Sequence, residues 1–196
     1  MGKDLEISKK IQNYIQELSK SLHPVQKEII TYNESLGDIK KMQIAVSQCH
    51  FLELITKVTK AKKILEIGTL VGKSAHALVL GSTCEVHTVD QNKDRFVLHE
   101  GYEQIIRYPE TTSIDFWKKG IGGFDFVFVD GWLRQEDVEN IFERTLDNFW
   151  FVCHDYRFND KGEEVVKRML KEGMKRDYDF DISEGGECCA LVKFGD

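Results

Sequence analysis

Short apolar runs alternating with amphipathic stretches predict an α/β fold: a doubly wound, mostly parallel sheet with helices on both faces. Three observations carry the prediction. Lys63-Ile64-Leu65-Glu66-Ile67 and Phe124-Asp125-Phe126-Val127-Phe128-Val129-Asp130 are short apolar runs, each followed by glycine, as strands buried on both faces tend to be. Stretches with helical spacing or length separate such runs. The 196 residues suit one core, with no Pro/Ser/Gly-rich linker and no internal repeat to divide them.

In order along the chain, residues 1–60 are expected to form an N-terminal helical cap and residues 61–196 the core of the same compact domain. Leu5, Ile7, Ile11, Tyr14, Ile15 and Leu18 recur at helical spacing. Ser21-Leu22-His23-Pro24 interrupts them, and Pro24 suits the first turn of a second helix. Beyond a break at Leu36-Gly37-Asp38, the stripe Met42, Ile44, Val46, Phe51, Leu52, Ile55 and Val58 predicts one helix over 39–59. Seven strands follow, at 63–67, 85–90, 105–108, 124–130, 148–153, 179–182 and 188–194; the last two form an antiparallel hairpin turning at Glu184-Gly185-Gly186-Glu187. Helices are expected from Gly72 to Leu80, Asp137 to Leu146 and Glu163 to Leu170.

Composition narrows the function. Lys and Arg number 27 against 33 Asp and Glu, a net charge of −6. That field disfavours a dedicated nucleic-acid binder. No apolar stretch reaches the roughly 18–20 residues that cross a bilayer. The start Met1-Gly2-Lys3-Asp4-Leu5-Glu6 has no apolar signal core, so a cytoplasmic protein with no membrane contact is expected. The five cysteines (49, 84, 153, 188 and 189) form no CxxC pair and are expected to be reduced and mostly buried.

The chemistry gathers where strands end. In a doubly wound sheet, ligands bind beyond the carboxyl ends of the strands. Here those ends read Glu66-Ile67-Gly68-Thr69-Leu70-Val71-Gly72, Val89-Asp90, Val129-Asp130-Gly131 and His154-Asp155-Tyr156, all along one rim. Gly68 and Gly72 permit a sharp turn and a close backbone approach to a ligand. Leu70 stands at the middle position of a GxGxxG pattern, and Ile67 stands where a phosphate-cradling loop ending in Gly72-Lys73-Ser74 needs its first glycine. Asp90 closes the second strand, where a carboxylate reaches both ribose hydroxyls of an adenosine.

These residues resemble a family. Lys63-Ile64-Leu65-Glu66-Ile67-Gly68-Thr69-Leu70-Val71-Gly72-Lys73-Ser74-Ala75 is similar to the first motif of class I S-adenosylmethionine-dependent methyltransferases, in the form found in small-molecule O-methyltransferases. Phe124 to Gly131 resembles their fourth strand, and Val152-Cys153-His154-Asp155-Tyr156 the "HDY" ending of the fifth strand in a related group. The resemblance covers about residues 42–194 and implies a Rossmann-like fold with S-adenosylmethionine as cofactor. It places Glu66, Gly68, Thr69, Gly72 and Ser74 at the cofactor, with Glu66 and Gly68 at its methionine end. It puts Asp90 on the ribose, Ser113 and Asp115 by the adenine in the turn after the third strand, and Asp130 facing the methyl group and the acceptor. The chain departs from the pattern in three places: no third helix is evident between Asp90 and Phe124, Asp147-Asn148 replaces a glycine pair, and Trp132-Leu133 follows Asp130-Gly131 where the "HDY" group commonly has a histidine.

The expected function is methyl transfer to a hydroxyl of a small molecule, sugar or phenol-like. Asp130, His154 and Asp155 are the candidate catalytic residues, with His154 the natural general base at neutral pH. Asp130 and Asp155 are also candidate ligands for Mg²⁺ as an optional second cofactor. Trp132 and Tyr156 are candidate walls for the acceptor, whereas Trp117, Trp150, His76 and His87 are expected to be structural. The N-terminal helices either close over the site or make a homodimer contact. The rival readings are a nicotinamide-dependent oxidoreductase, disfavoured by Leu70, and a non-catalytic binding module on the same fold.

Overall fold

The computed structural model describes residues 21–97, 99–154, 179–184 and 187–194. The helices expected over 5–18 and 163–170, and the residues Asp155 and Tyr156, lie outside the described residues. The core is one seven-stranded sheet. β1 (Lys63–Ile67), β2 (Glu85–Val89), β3 (Ile105–Tyr108), β4 (Phe124–Val129) and β5 (Thr145–His154) run parallel. β6 (Asp179–Glu184) and β7 (Glu187–Phe194) form the expected antiparallel pair, with β7 also antiparallel to β5. The spatial order is β3-β2-β1-β4-β5-β7-β6, so the direction of winding reverses between β1 and β4.

Alternation along the strands builds two apolar layers. Leu65, Ile67, Val127, Val129 and Phe151 face one side, packing with Phe116, Trp117, Val138 and Ile141. Ile64, Phe126, Phe128 and Val152 face the other, packing with Cys49, Leu52, Ala75 and Leu78. Phe116, Phe124, Phe126, Phe128 and Phe151 are all fully buried. Each such side chain contributes about 1.5–3 kcal/mol relative to exposure, which makes β4 the hydrophobic spine of the sheet. The helices are α1 (Pro24–Glu34), α2 (Val46–Thr59), α3 (Lys73–Gly81), α4 (Ser113–Trp117) and α5 (Gln135–Arg144), with a 3₁₀ turn over Gly37–Met42. Val25 and Ile29 of α1 pack on Val71, so this helix backs the loop that leaves β1.

Three boundaries differ from expectation. The stripe over 39–59 is not one helix, because the chain extends at Gln43 to Ala45. There Ile44 O accepts the buried Lys73 ammonium at 2.8 Å, while Gln48 Oε1 accepts the Ala45 amide at 2.9 Å and starts α2 afresh. A long-range contact thus takes the carbonyl that a continuous helix would have used. The segment without an evident helix contains α4, capped by Thr112, whose Oγ1 accepts the Asp115 amide at 3.1 Å. Helix α5 starts and ends two residues earlier than the expected span of 137–146, because Asp137 Oδ2 accepts the Arg134 amide at 2.8 Å as a third-position cap. β5 accordingly begins at Thr145, and its register against β4 shifts between Phe124 and Phe126.

Candidate active site

The winding reversal between β1 and β4 opens a crevice at the carboxyl ends of the strands, and a cavity of about 560 Å³ lies there. Its wall is drawn from the loops after β1, β2 and β4, from the last residues of β5 and from the turn before α4. The loop after β1 is pinned into the sheet: Gly68 N donates to Val89 O and Asp130 N to Ile67 O, both at 2.8 Å. Gly68 has φ +98°, and a Cβ there would lie 2.8 Å from the carbonyl carbon and oxygen of Asp130. Glycine is therefore needed both for the conformation and for the close passage of two backbones.

Leu70 occupies the would-be middle-glycine position with φ +49°, an uncommon conformation for a bulky side chain. Asp90 holds it there. Its Oδ2 accepts the amides of Thr69 and Leu70 at 3.0 and 2.9 Å, and its Oδ1 accepts that of Asn92 at 2.7 Å. The carboxylate at the end of β2 thus faces the cavity and braces the neighbouring loop at once.

Behind Thr69 stands a polar column. The Thr69 and Thr88 hydroxyls are 2.5 Å apart, and Thr88 donates to Glu66 Oε2. Glu66 is wholly buried, and burial pushes its carboxyl up to about 8; the Ser74 and Thr88 hydroxyls oppose that rise, and the charges of Asp130 and Asp90 add to it. On the far side of the crevice, His154 at the end of β5 is buried, and its Nδ1 lies 2.6 Å from Oδ1 of Asp130. A carboxylate at Nδ1 holds the proton on that nitrogen and makes Nε2 the basic one.

Of the residues singled out in the sequence, the structure brings Gly68, Thr69, Asp90, Ser113, Asp130 and His154 to one cavity wall. It does not bring Glu66, Gly72, Ser74 or Asp115 there. Glu66 lies one hydrogen-bonded layer behind Thr69, and Ser74 is buried within α3. Gly72 caps α3 at φ +85°, with the Phe96 ring filling the space a side chain would take. Asp115 turns outward to the Lys118 ammonium at 2.7 Å and the Thr112 hydroxyl at 2.8 Å, which hold its carboxyl below the usual range. Ser113 is the first residue of α4 rather than part of a turn.

Sequence reasoning missed Met42, Leu70, Gln91, Asn92, Thr111, Leu133, Arg134 and Cys153 as wall residues. Position just after a strand end would have flagged Gln91 and Asn92, and the Thr112-x-x-Asp115 box would have placed Thr111 at a helix entrance. Met42 approaches from the 3₁₀ turn, which no local pattern signals. Trp117 and Trp150 sit in or against the core, and neither His76 nor His87 touches the cavity.

The residues present fit an adenosine-bearing cofactor. A backbone cradle at Gly68, a carboxylate one strand over at Asp90 and polar groups at Asn92, Thr111 and Ser113 line a space of the size small-molecule sites have. The fit for a divalent cation is poorer. Asp155 lies outside the described residues, Asp130 is bonded to His154, and among the described residues no three His, Cys, Asp or Glu side chains are grouped to hold an ion. That falls short of the oxygen-rich octahedral set Mg²⁺ takes.

The fold and this rim together define a methyltransferase-type architecture. It is similar to the S-adenosylhomocysteine-bound methyltransferase PaMTH1 of Podospora anserina, at 18 % identity with a TM-score of 0.71 over 100 % of both chains. It is also similar to the O-methyltransferase of Bacillus cereus in complex with S-adenosylhomocysteine, at 17 % identity with a TM-score of 0.68 over 93 % of this chain and 97 % of that one. The sequence goes further than the fold. Residues 16–149 match the profile of the O-methyltransferase family, and the chain belongs to that family. A Dictyostelium discoideum protein named "Probable caffeoyl-CoA O-methyltransferase 1" is 30 % identical over 176 residues, 86 % of this chain and 69 % of its own length. An Arabidopsis thaliana protein also named for caffeoyl-CoA O-methylation is 26 % identical over 153 residues, 71 % of this chain and 65 % of its own length. The chain thus spans about two thirds of the length of these curated relatives.

Proposed function

We propose that this chain is an S-adenosylmethionine-dependent O-methyltransferase that methylates a hydroxyl of a small, phenol-like molecule. The observation that carries the reading is the meeting, in one cavity, of the Gly68 turn, Asp90 and the Asp130–His154 pair. S-adenosylmethionine supplies a methyl group on a sulfonium centre, ready for in-line displacement. The protein aligns donor and acceptor, and proximity of this kind is worth about 7–11 kcal/mol of barrier. Gly68 lets the loop backbone approach the cofactor, Asp90 takes the ribose while keeping that loop fixed, and Asn92, Thr111 and Ser113 receive the base. His154 accepts the acceptor's hydroxyl proton at Nε2, and Asp130 stabilises the imidazolium through Nδ1. Family membership and the names of the relatives favour oxygen as the atom methylated and a phenolic ring as its carrier. The nicotinamide reading is not favoured: Leu70 puts a side chain and its strained backbone where a dinucleotide loop carries glycine.

Calorimetry with S-adenosylhomocysteine tests the cofactor half, and transfer of labelled methyl to a dihydroxyphenyl acceptor tests the rest. Asp90→Ala is expected to weaken S-adenosylhomocysteine by more than about tenfold through lost charge-assisted hydrogen bonds. His154→Gln is expected to keep that affinity and lower turnover about 10²-fold or more. Absence of binding at millimolar cofactor product defeats the reading, and binding with no transfer to any acceptor supports the non-catalytic module instead.

A further inference from the structure

Glu66 is a wholly buried carboxyl that the mechanism above does not use, and its surroundings suit a charge poorly. In register beside it stand Thr88 on β2 and the fully buried Phe128 on β4. The Ser74 hydroxyl reaches it from α3, while the neighbouring Lys73 donates its ammonium to Ile44 O. The charges that do reach it, those of Asp90 and Asp130, are negative, and the His154 imidazole is bonded to Asp130.

Hydroxyls join this carboxyl to the cavity. Thr88 bonds Glu66 Oε2 on one side and lies 2.5 Å from the Thr69 hydroxyl on the other, and Thr69 lines the cavity. Each hydroxyl carries one proton, so the chain can run in two directions, and Glu66 selects between them. An ionised Glu66 accepts from Thr88, Thr88 then accepts from Thr69, and Thr69 offers the cavity only lone pairs. A protonated Glu66 donates to Thr88 and reverses both bonds, so that Thr69 offers the cavity its O–H. The head of the chain is fixed, because the Thr69 amide donates to Asp90 Oδ2 at 3.0 Å.

We infer that Glu66 holds a proton when no cofactor is bound and releases it when Thr69 accepts the cofactor's ammonium, so that loading the site reverses the Thr88–Thr69 hydroxyl chain. The inference rests on the methyltransferase reading above and adds a proton to its cofactor step. Thr69 passes its proton to water in the cavity and takes one from Thr88, which takes one from Glu66. One proton reaches solvent, and a carboxylate remains that faces the bound cation through two hydroxyls. Burial, which raises the carboxyl to about 8, keeps the proton in place at neutral pH until then. Glu66 is thus a positioning residue that acts on the cofactor through Thr69.

Calorimetric titration with S-adenosylhomocysteine in buffers of different ionisation enthalpy counts the protons released. At pH 7 the protein should release close to one, and affinity should rise about tenfold per pH unit between pH 6 and 8 and level off above. Glu66→Gln, a neutral amide that can still donate to Thr88, should bind without releasing a proton and without that slope. Thr69→Val should do the same with Glu66 in place, and Thr69→Ser should restore both; these two variants decide the matter alone if Glu66→Gln does not fold. His154→Gln should leave the count unchanged, which sets the proton apart from the Asp130–His154 pair. A count near zero in the unaltered protein, a proton that persists in Glu66→Gln or Thr69→Val, or one that disappears in His154→Gln overturns the inference while S-adenosylhomocysteine still binds. Absence of that binding takes down the methyltransferase reading with it.

Discussion

Gly68 is the residue on which the site turns. Its φ of +98° and the 2.8 Å approach to the Asp130 carbonyl mean that any side chain both strains the backbone and pushes β1 from β4. Gly68→Ala is expected to cost about 1–3 kcal/mol of stability and to abolish S-adenosylhomocysteine binding, measured by urea denaturation and calorimetry. Leu70 makes the opposite point. It holds a glycine-like conformation because Asp90 accepts its amide and because it packs against the apolar cluster of Val25, Ile29 and Val71. Gly68 and Asp90 were legible in the sequence, since a glycine turn paired with an acidic strand end is a local signature. The bracing of Leu70 by Asp90 was not, because it depends on two strand ends lying side by side.

At the scale of elements, β1, β2 and β4 could be read directly, being short apolar runs closed by Gly or Asp. α4 could not, because five residues are too few for a helical period to register; its one mark was the Thr112–Asp115 box. The break before α2 escaped for a different reason: the apolar stripe through Met42 and Val58 continues past it, and the stop is imposed by Lys73, 29 residues on from Ile44. Asp137 joins three elements, fixing α5 to the loop after β4 and, through Trp117, to α4. Asp137→Ala leaves the buried Trp117 indole N–H and the partly buried Arg134 amide without their acceptor and is expected to cost about 2–4 kcal/mol, summed over both. It should raise KM for the acceptor more than the dissociation constant for S-adenosylhomocysteine, because the part released carries Trp132 and Arg134. Measuring both constants on the folded variant checks this.

For the whole molecule, two buried ionisable groups bound the pH range of stability. His76 is buried beside Phe96 and Tyr102 and bonded to Gly72, and burial lowers it from 6.5 to about 4. The unfolded chain takes up that proton first, so stability falls as pH drops from 6.5 toward 4. Glu66 runs the other way. Raised from 4.5 to about 8, its contribution is fully present below pH 4.5 and is lost as pH rises through 8. The melting temperature should therefore decline on both flanks, and Glu66→Gln should flatten the alkaline one. An alkaline flank unchanged in that variant would place the titrating group elsewhere.

The uneven placement of the three tryptophans gives the protein a built-in optical gauge. Trp117 is sealed in the core and Trp150 half covered, whereas the Trp132 indole stands in solvent at the cavity mouth. Acrylamide should quench emission from Trp132 first, and an aromatic ligand stacking there should shield it and shift the spectrum to the blue. Occupancy of the acceptor end is then readable by fluorescence without label or turnover, and Trp132→Phe should silence the signal.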